Sequence, residues 1–488
     1  GSLRDDLDEL PVLVIDHHAT SAPYGDARFV ITTAAATAHL VQLVMEALEG
    51  TITRSEAELL LFAIATDTGY FRHVEADAAD LFAAVSRLMA SGASPKKAHA
   101  QMFGGHSFAS RKLLATLLLA AYLAFKVRSR RSLLLLAVFA LLYFGFWRKG
   151  CVCSIGAIQN VAAGLTDKGF PLPLTVILFF TLPLAFALLF GRVFCAAVCP
   201  LGAAQDLVVF RPVKVPMWLE RFLRVIPHLY LGLAVLFAVT GAGFIICRYD
   251  PFVGFFRLGA SAGMLMFGAG ILVLGMFVGR PYCRYLCPLG VLLGWGSRLS
   301  RRHVTITPDE CINCRLCENA CPFNAIRGPT PETSPEPRRR GVRRRAALAE
   351  VTPLPVAAGG WAGRRVDKAL SRAHPTVRLA ERVAREDRGE VAGTTLESDA
   401  FHLSGEQRAA LAERAVEARR PFARAGLWLG VYVAFVFGAA LFGLTVRRRR
   451  TDYAPDPEWC VSCGRCFAVC PREQERLKKG LWQRGSAE

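Results

Sequence analysis

Apolar positions in this chain gather into long runs rather than the short alternations of a soluble fold. Five runs, at about 132–147, 171–190, 225–246, 262–279 and 426–446, approach the ~20 residues a helix needs to cross a bilayer. The first is short but ends in Phe146-Trp147, an interfacial anchor of the kind membrane helices carry. A sixth run, 113–125, has a length that predicts a buried or interfacial helix instead. Residues 1–112 read differently. Pro11-Val12-Leu13-Val14-Ile15 is a short apolar run ending in Asp16-His17-His18, as a buried parallel strand would. Helical spacing follows at 34–49, 54–66 and 78–91, which makes this part a soluble α/β segment.

Basic residues sit between the runs and alternate in number. Segments 126–131, 191–224 and 280–345 hold four, five and thirteen Lys or Arg, against three in 148–170 and two in 247–261. The positive-inside rule places the richer three in the cytoplasm and the poorer two outside. Arg447-Arg448-Arg449-Arg450 after the last run should also be inside, which requires one more crossing. The weak apolar stretch 346–363 is the candidate, bracketed by Arg343-Arg344-Arg345 and Arg364-Arg365. The Pro- and Arg-rich tract 328–345 reads as a flexible linker. Residues 364–425 read as an external helical segment of mixed charge.

The distribution also reconciles two bulk figures, 53% hydrophobic residues and a formal charge of +19. Neither a simple soluble globule nor a disordered chain is compatible with such runs. Basic loops beside spans account for the charge, so no specific nucleic-acid partner is needed for the membrane part; its partner is the lipid bilayer.

Twelve of the 15 cysteines fall into four clusters, which does not read as a secreted disulfide framework. Cys311-x2-Cys314-x2-Cys317-x3-Cys321-Pro322 recurs as Cys460-x2-Cys463-x2-Cys466-x3-Cys470-Pro471. This is the bacterial ferredoxin run for [4Fe–4S] clusters, whose fourth Cys ligates the other cluster in two-cluster ferredoxins. One cluster is therefore expected on Cys311, Cys314, Cys317 and Cys470, and the other on Cys460, Cys463, Cys466 and Cys321. Both halves must then lie on one side of the membrane, which independently asks for the crossing at 346–363. Zinc gives no reason for the triple spacing followed by Pro. A second repeat, Cys195-x3-Cys199-Pro200-Leu201-Gly202 and Cys283-x3-Cys287-Pro288-Leu289-Gly290, follows Gly191-Arg192 and Gly279-Arg280 at the ends of two runs. Its four thiols could bind a third metal centre or serve as a redox relay. Cys151, Cys153 and Cys247 fall on the expected external loops, where they could form a disulfide, bind a metal or be inert.

These motifs resemble those of the NapH/NosR-type membrane polyferredoxins, over about 132–327 and 426–472. The resemblance implies electron transfer between the quinone pool or a soluble donor and a partner reductase, with the paired CxxxCP motifs facing a cytoplasmic ferredoxin domain. The insert 328–425 departs from the family, and no NosR-type flavin-attachment motif is present. His228 is the only His in a span, which excludes a bis-His haem there.

Asp16-His17-His18 followed by Ala65-Thr66-Asp67-Thr68-Gly69-Tyr70-Phe71-Arg72 resembles the DHH phosphoesterases, in particular the oligoribonuclease/phosphoadenosine-phosphate phosphatase branch. The resemblance implies two Mn²⁺ or Mg²⁺ ions activating water on a phosphate. His17 and Asp67 would be metal ligands, Asp16 a support for His17, His18 the group facing the phosphate in catalysis, and Arg72 a substrate contact. The family's upstream ligand motifs and its carboxy-terminal substrate-binding domain are not found here. The sequence opens on Gly1-Ser2, so an upstream part outside it, or a vestigial module, is expected. A short oligonucleotide or nucleotide would be the substrate of a complete DHH domain only.

The expected fold is multi-domain: a partial α/β DHH domain (1–112), a linker or interfacial helix (113–131) and an α-helical transmembrane module (132–300). An α+β two-cluster ferredoxin follows, split into halves at 301–327 and 447–488 by the insert 328–425 and the helix 426–446. The expected function is electron transfer through [4Fe–4S] clusters in a bacterial inner membrane, between a quinol or soluble donor and a partner reductase, with the ferredoxin halves and DHH fragment cytoplasmic. The alternatives are a membrane-anchored phosphodiesterase regulated by its iron–sulfur module, and a copper reductase using Cys151, Cys153 and Cys247.

Overall fold

The computed structural model describes residues 11–18, 26–48, 50–74, 78–99, 102, 105–150, 153–167, 169–170, 172–257, 259, 261–306, 311–330, 338–445, 450 and 452–479. The chain divides into two units, 1–108 with 376–416 and 109–375 with 417–488.

In the first unit, strands Leu13–Asp16 and Ala27–Val30 pair in parallel, and helices Thr37–Ala47, Arg54–Asp67 and Ala79–Ala90 follow. Leu61, Ile64, Leu81 and Leu88 are fully buried at their centre. Thr53 and Glu56 form a reciprocal capping box that starts the second helix. The strand and the three helices expected here are present. The two-stranded sheet is minimal, and the described residues of this unit form a small α/β segment. Helices Pro375–Asp387 and Leu396–Leu403 close on Val383, Phe401 and Leu411.

The second unit is helical. Arg130–Trp147, Met217–Val239 and Arg408–Gly443 are long and apolar enough to cross a membrane, and Leu174–Phe190 and Ala262–Phe277 are shorter apolar helices. All five expected runs are thus helices of a membrane protein. The 113–125 run lies in a longer helix, Gly105–Tyr122, continued by a π-helical turn over Leu123–Val127.

Three expectations change. The stretches 148–170 and 247–261 are not plain loops. They hold helices Ser154–Thr166, Ile245–Tyr249 and Pro251–Arg257, and Pro251 packs on Gly268 midway along the Ala262–Phe277 helix. Residues 338–345 of the expected linker are helical, in a helix that runs on to Val351, because the helix-favouring Arg and Ala of that stretch lie beyond the prolines. The polar and apolar parts of Arg408–Thr445 form one continuous helix with Pro421 inside it.

The weak stretch 346–363 ends in the helix Pro353–Arg365. Gly359 and Gly363 lie against Gly430 and Gly426 on the long C-terminal helix, backbone to backbone. A Cβ on Gly359 would stand 2.6 Å from the Gly430 carbonyl oxygen. Such small-xxx-small faces let helices approach closely in lipid. Gly430→Val is expected to destabilise by ~1–3 kcal/mol through overpacking, read as a lower thermal-unfolding midpoint of the purified protein in detergent. Gly443→Val, facing open space, should leave the midpoint unchanged.

Candidate functional site

The two ferredoxin halves rejoin although the insert separates them in sequence. Ile326–Arg327 pairs antiparallel with Ala454–Pro455, and Asp456 N–H donates to Ala325 O at 2.7 Å. Each Cys run wraps with the same backbone turn. Asn313 and Arg315 in one, and Ser462 and Gly464 in the other, take left-handed φ values of 55°, 60°, 54° and 78°. Such turns curl a short loop so that neighbouring thiols face one centre. Cys311, Cys314 and Cys317 line one cavity together with Cys470 from the other half. Cys460, Cys463 and Cys466 lie within electrostatic reach of one another and of Cys321. Cys470 thus lies beside the first run and Cys321 beside the second. Burial pushes the Cys317 thiol up to about 11 and Cys460 to about 12. Thiols so disfavoured as bare anions suit a centre that supplies positive charge, since a coordinated thiol is deprotonated outright.

Below this domain the two CxxxCP modules interlock. Each is a helix, a Gly-Arg corner, a one-turn helix carrying the first Cys, and a second helix starting at Pro200 or Pro288. Proline at the first helical position is pre-organised and forgoes an N–H that would be unpaired anyway. The chain after each module returns to the other module's helix end. Arg211 N–H donates to Met276 O at 3.0 Å, and Arg301 N–H to Leu188 O at 3.1 Å. The two Arg corners exchange in the same way. Arg280 lies on Gly202 and donates to Cys195 O, and Arg192 lies on Gly290. The glycines make these approaches close: a Cβ on Gly202 would stand 3.1 Å from the Arg280 guanidinium, tight enough that the arginine would have to give.

The exchange brings four thiols together inside the core. Cys195, Cys199 and Cys287 are buried and Cys283 is partly buried. Cys199 is within electrostatic reach of Cys195 and Cys283, and Cys287 of all three others. Burial pushes Cys199 and Cys287 well up; it raises Cys283 to about 11 against the opposing pull of Arg280. Gln205 Nε2 donates to Cys283 Sγ at 3.3 Å. Arg192 is the unusual member. Among the described residues it has no carboxylate partner, its Nε has no hydrogen bond, and its other contacts are Glu458 O at 3.1 Å and Cys195 Sγ at 3.8 Å. A buried cation without a counter-charge is costly. Four thiolates on a multi-iron cluster would supply that charge; no three of these thiols stand close enough for a single ion, so the centre the quartet would suit is a cluster.

Asp206 ties these parts together. Its carboxylate is fully buried and meets Arg130 at 3.0 Å, Arg280 at 3.1 Å and Arg465 at 3.5 Å. Arg130 also donates to Cys463 O at 3.0 Å. Glu220 does the same on the other side, meeting Arg224 and Arg284 at 2.5 Å each and accepting from Tyr285 Oη at 2.7 Å. Arg284 in turn donates to Pro322 O beside Cys321. Asp206, Glu220 and Gln205 were not singled out in the sequence. The Gly-Arg corners were, but without a role.

The amino-terminal residues do not converge. Asp16 Oδ1 accepts from His17 N–H at 2.7 Å and meets His18 Nδ1 at 2.8 Å, while the His17 ring turns to Ala34 O at 2.9 Å. Asp16 Oδ1 thus meets the His17 backbone and the His18 ring, while the His17 ring, which it was expected to orient, bonds to Ala34 O. Asp67 is exposed at the end of its helix. Among the described residues no three His, Cys, Asp or Glu side chains are close enough to hold a single metal ion. Cys151 lies outside the described residues. Cys153 and Cys247 are free thiols.

The geometry is that of a membrane iron–sulfur protein. Two family models, each described as a 4Fe-4S binding domain, match it: one at 172–217 and 261–307, the other at 304–327 and 453–474. The regulatory protein NosR of Stutzerimonas stutzeri is 28% identical over 205 residues, 39% of this chain and 28% of NosR. The ferredoxin-type protein NapH of Haemophilus influenzae is 28% identical over 200 residues, 37% of this chain and 68% of NapH. An uncharacterized protein of Methanocaldococcus jannaschii is 30% identical over 192 residues, 37% of this chain and 77% of that protein. No solved structure matches. The chain belongs to the NapH/NosR-type membrane polyferredoxins and carries 4Fe-4S binding domains. It spans well under two thirds of NosR. The matched models lie wholly outside residues 1–112, so the DHH resemblance is carried by the sequence motifs alone.

Asp206 also sets an acid limit. Burial alone would raise its carboxyl, but the Arg280 and Arg130 charges outweigh this and hold it well below the usual carboxylate range. Its contribution is present above the ordinary carboxyl pKa of ~3.9 and lost as pH falls through the lower folded value. Asp206→Asn leaves three guanidinium groups uncompensated and should cost ~3–5 kcal/mol, read as a fall in the thermal midpoint at pH 7.

Proposed function

We propose that this chain conducts electrons along three centres in a bacterial inner membrane, between a quinol or soluble donor and a partner reductase. Cys311, Cys314, Cys317 and Cys470 hold one [4Fe–4S] cluster, and Cys460, Cys463, Cys466 and Cys321 hold the second. Cys195, Cys199, Cys283 and Cys287 hold a third metal centre. The observation that carries the third centre is Arg192, a buried cation whose only candidate counter-charge among the described residues is that quartet. The match of a 4Fe-4S binding model to both CxxxCP modules supports it as well. When bound, the clusters supply one-electron carriers whose potentials follow net charge, hydrogen bonds to sulfur and burial.

The protein's own part is positioning and electrostatics. Arg130 and Arg465, joined through Asp206, hold the loop of the second cluster against the modules. Arg192 and Arg280 place fixed positive charge beside the quartet, which stabilises whichever state is more negative. The basic loops 126–131, 191–224 and 280–345 favour a cytoplasmic ferredoxin. The close packing of Pro353–Arg365 on the last helix supports a crossing at 346–363, which would return the second ferredoxin half to the same side.

Cluster assignment is tested by pairing variants. Cys470→Ser should alter the same EPR signal as Cys311→Ser, and Cys321→Ser the same signal as Cys460→Ser. If Cys321→Ser groups with Cys311→Ser instead, each run holds its own cluster. The purified protein should carry about eight irons from its two ferredoxin clusters, plus a further amount that Cys199→Ser removes while both ferredoxin signals remain. Retention of all iron in Cys199→Ser rules out the third centre.

A further inference from the structure

Two thiols outside the three centres lie beside one another. Cys153 caps the Ser154–Thr166 helix, and its Sγ accepts from Gly156 N–H at 3.2 Å. Cys247 reaches it from the Ile245–Tyr249 helix. A Cβ on Gly156 would stand 3.2 Å from the Cys247 sulfur and 3.3 Å from the Cys153 sulfur. The two sulfurs therefore flank one glycine, whose missing side chain leaves the gap between them open. Helix Ser154–Thr166 is pinned to this segment from inside as well, because Gln159 Oε1 accepts from Ile246 N–H at 2.9 Å. The sulfurs differ in access: Cys247 is exposed and Cys153 is only partly so. A surface-accessible thiol backed by a recessed one is the arrangement that thiol–disulfide exchange uses, the first meeting the substrate and the second resolving the mixed disulfide.

A polar line runs from this pair to the quartet. Both thiols are within electrostatic reach of Asp250. Asp250 accepts from Tyr282 Oη at 2.5 Å. Tyr282 N–H donates to Gln205 Oε1 at 3.0 Å, and Gln205 Nε2 donates to Cys283 Sγ at 3.3 Å. Asp250, Tyr282 and Gln205 are all buried. Tyr230 lies within electrostatic reach of both Cys247 and Cys287. Buried polar groups in an apolar bundle are costly unless each is satisfied, and these form a connected set between two groups of thiols.

We propose that Cys153 and Cys247 form a dithiol–disulfide couple that passes electrons between the iron–sulfur centres and a disulfide substrate reaching Cys247. This rests on the reading of the three centres given above. The Cys247 thiolate attacks one sulfur of the substrate disulfide, whose S–S bond breaks to release one thiolate. The Cys153 thiolate then attacks the Cys247 sulfur and releases the second. The two protons lost by the protein thiols end on the substrate thiolates. The Cys153–Cys247 disulfide takes up two electrons, one at a time, from the iron–sulfur centres, and two protons, and both thiols are restored.

The test uses the full-length protein in detergent. It is poised in oxidised or reduced dithiothreitol, alkylated and mapped by mass spectrometry. A reversible Cys153–Cys247 link is expected. A link of either residue to Cys151 instead, or no link under any poise, overturns the proposal. In a second arm, dithionite-reduced and desalted protein receives oxidised glutathione, and re-oxidation is followed by the visible iron–sulfur absorbance. Re-oxidation is expected in the wild type and lost in Cys247→Ser and Cys153→Ser. Ferricyanide should re-oxidise all three, and iron content should be equal. Wild-type rates with glutathione in both variants refute the couple. A wild type without iron or visible bands refutes the underlying three-centre reading instead, so the two failures are distinct.

Discussion

A charge buried in an apolar bundle must be paired, and here one carboxylate answers for three arginines. Asp206 binds Arg130 from the first long helix, Arg280 from the second CxxxCP module and Arg465 from the second ferredoxin half. Removing the carboxylate would leave three guanidinium groups facing one another without its charge, so this one residue holds the three elements in one arrangement. Glu220 repeats the device with Arg224 and Arg284. The thiol quartet owes its position to this. Its four cysteines come from segments far apart in the chain, and the crossed Arg corners close them on one another.

The same logic explains why a ferredoxin cut in two still assembles. The entropy of closing a loop grows only slowly with its length, so a long insert adds little to the cost of joining the halves. What rejoins them is local: a two-residue ladder, the pairing of Asp456 with Ala325, and thiols contributed across the seam. Each half is also separately moored to the membrane helices, one through Pro322 and Arg284, the other through Cys463 and Arg130.

How much was legible in the sequence follows the range of each interaction. The two Cys runs were legible because cubane ligation imposes short, regular Cys spacing, and the motif also names which fourth Cys to look for across the seam. The five apolar helices were legible from run length. The partnership of Arg280 with Asp206 was not, because it joins residues 74 positions apart and the Gly-Arg corner that marks Arg280 says nothing of its partner. The helices at 154–166 and 251–257 were missed because short apolar stretches between spans look like loops until something is seen to pack on them. The helix at 338–351 was hidden by the prolines just before it. At the amino terminus, Asp16, His17 and His18 were legible as a motif but do not gather as a metal site, since the side chains turn to different neighbours.

The two CxxxCP modules are related by a repeat that fails at one position. Where the first has Asp206, the second has Gly294, and the vacated space is filled by Glu458 of the ferredoxin, whose backbone carbonyl Arg192 holds. A fully symmetric pair would offer two equivalent landing faces and no preferred place for a soluble domain to sit. Losing one acid and one side chain leaves a single berth, so the duplicated scaffold acquires a front and a back.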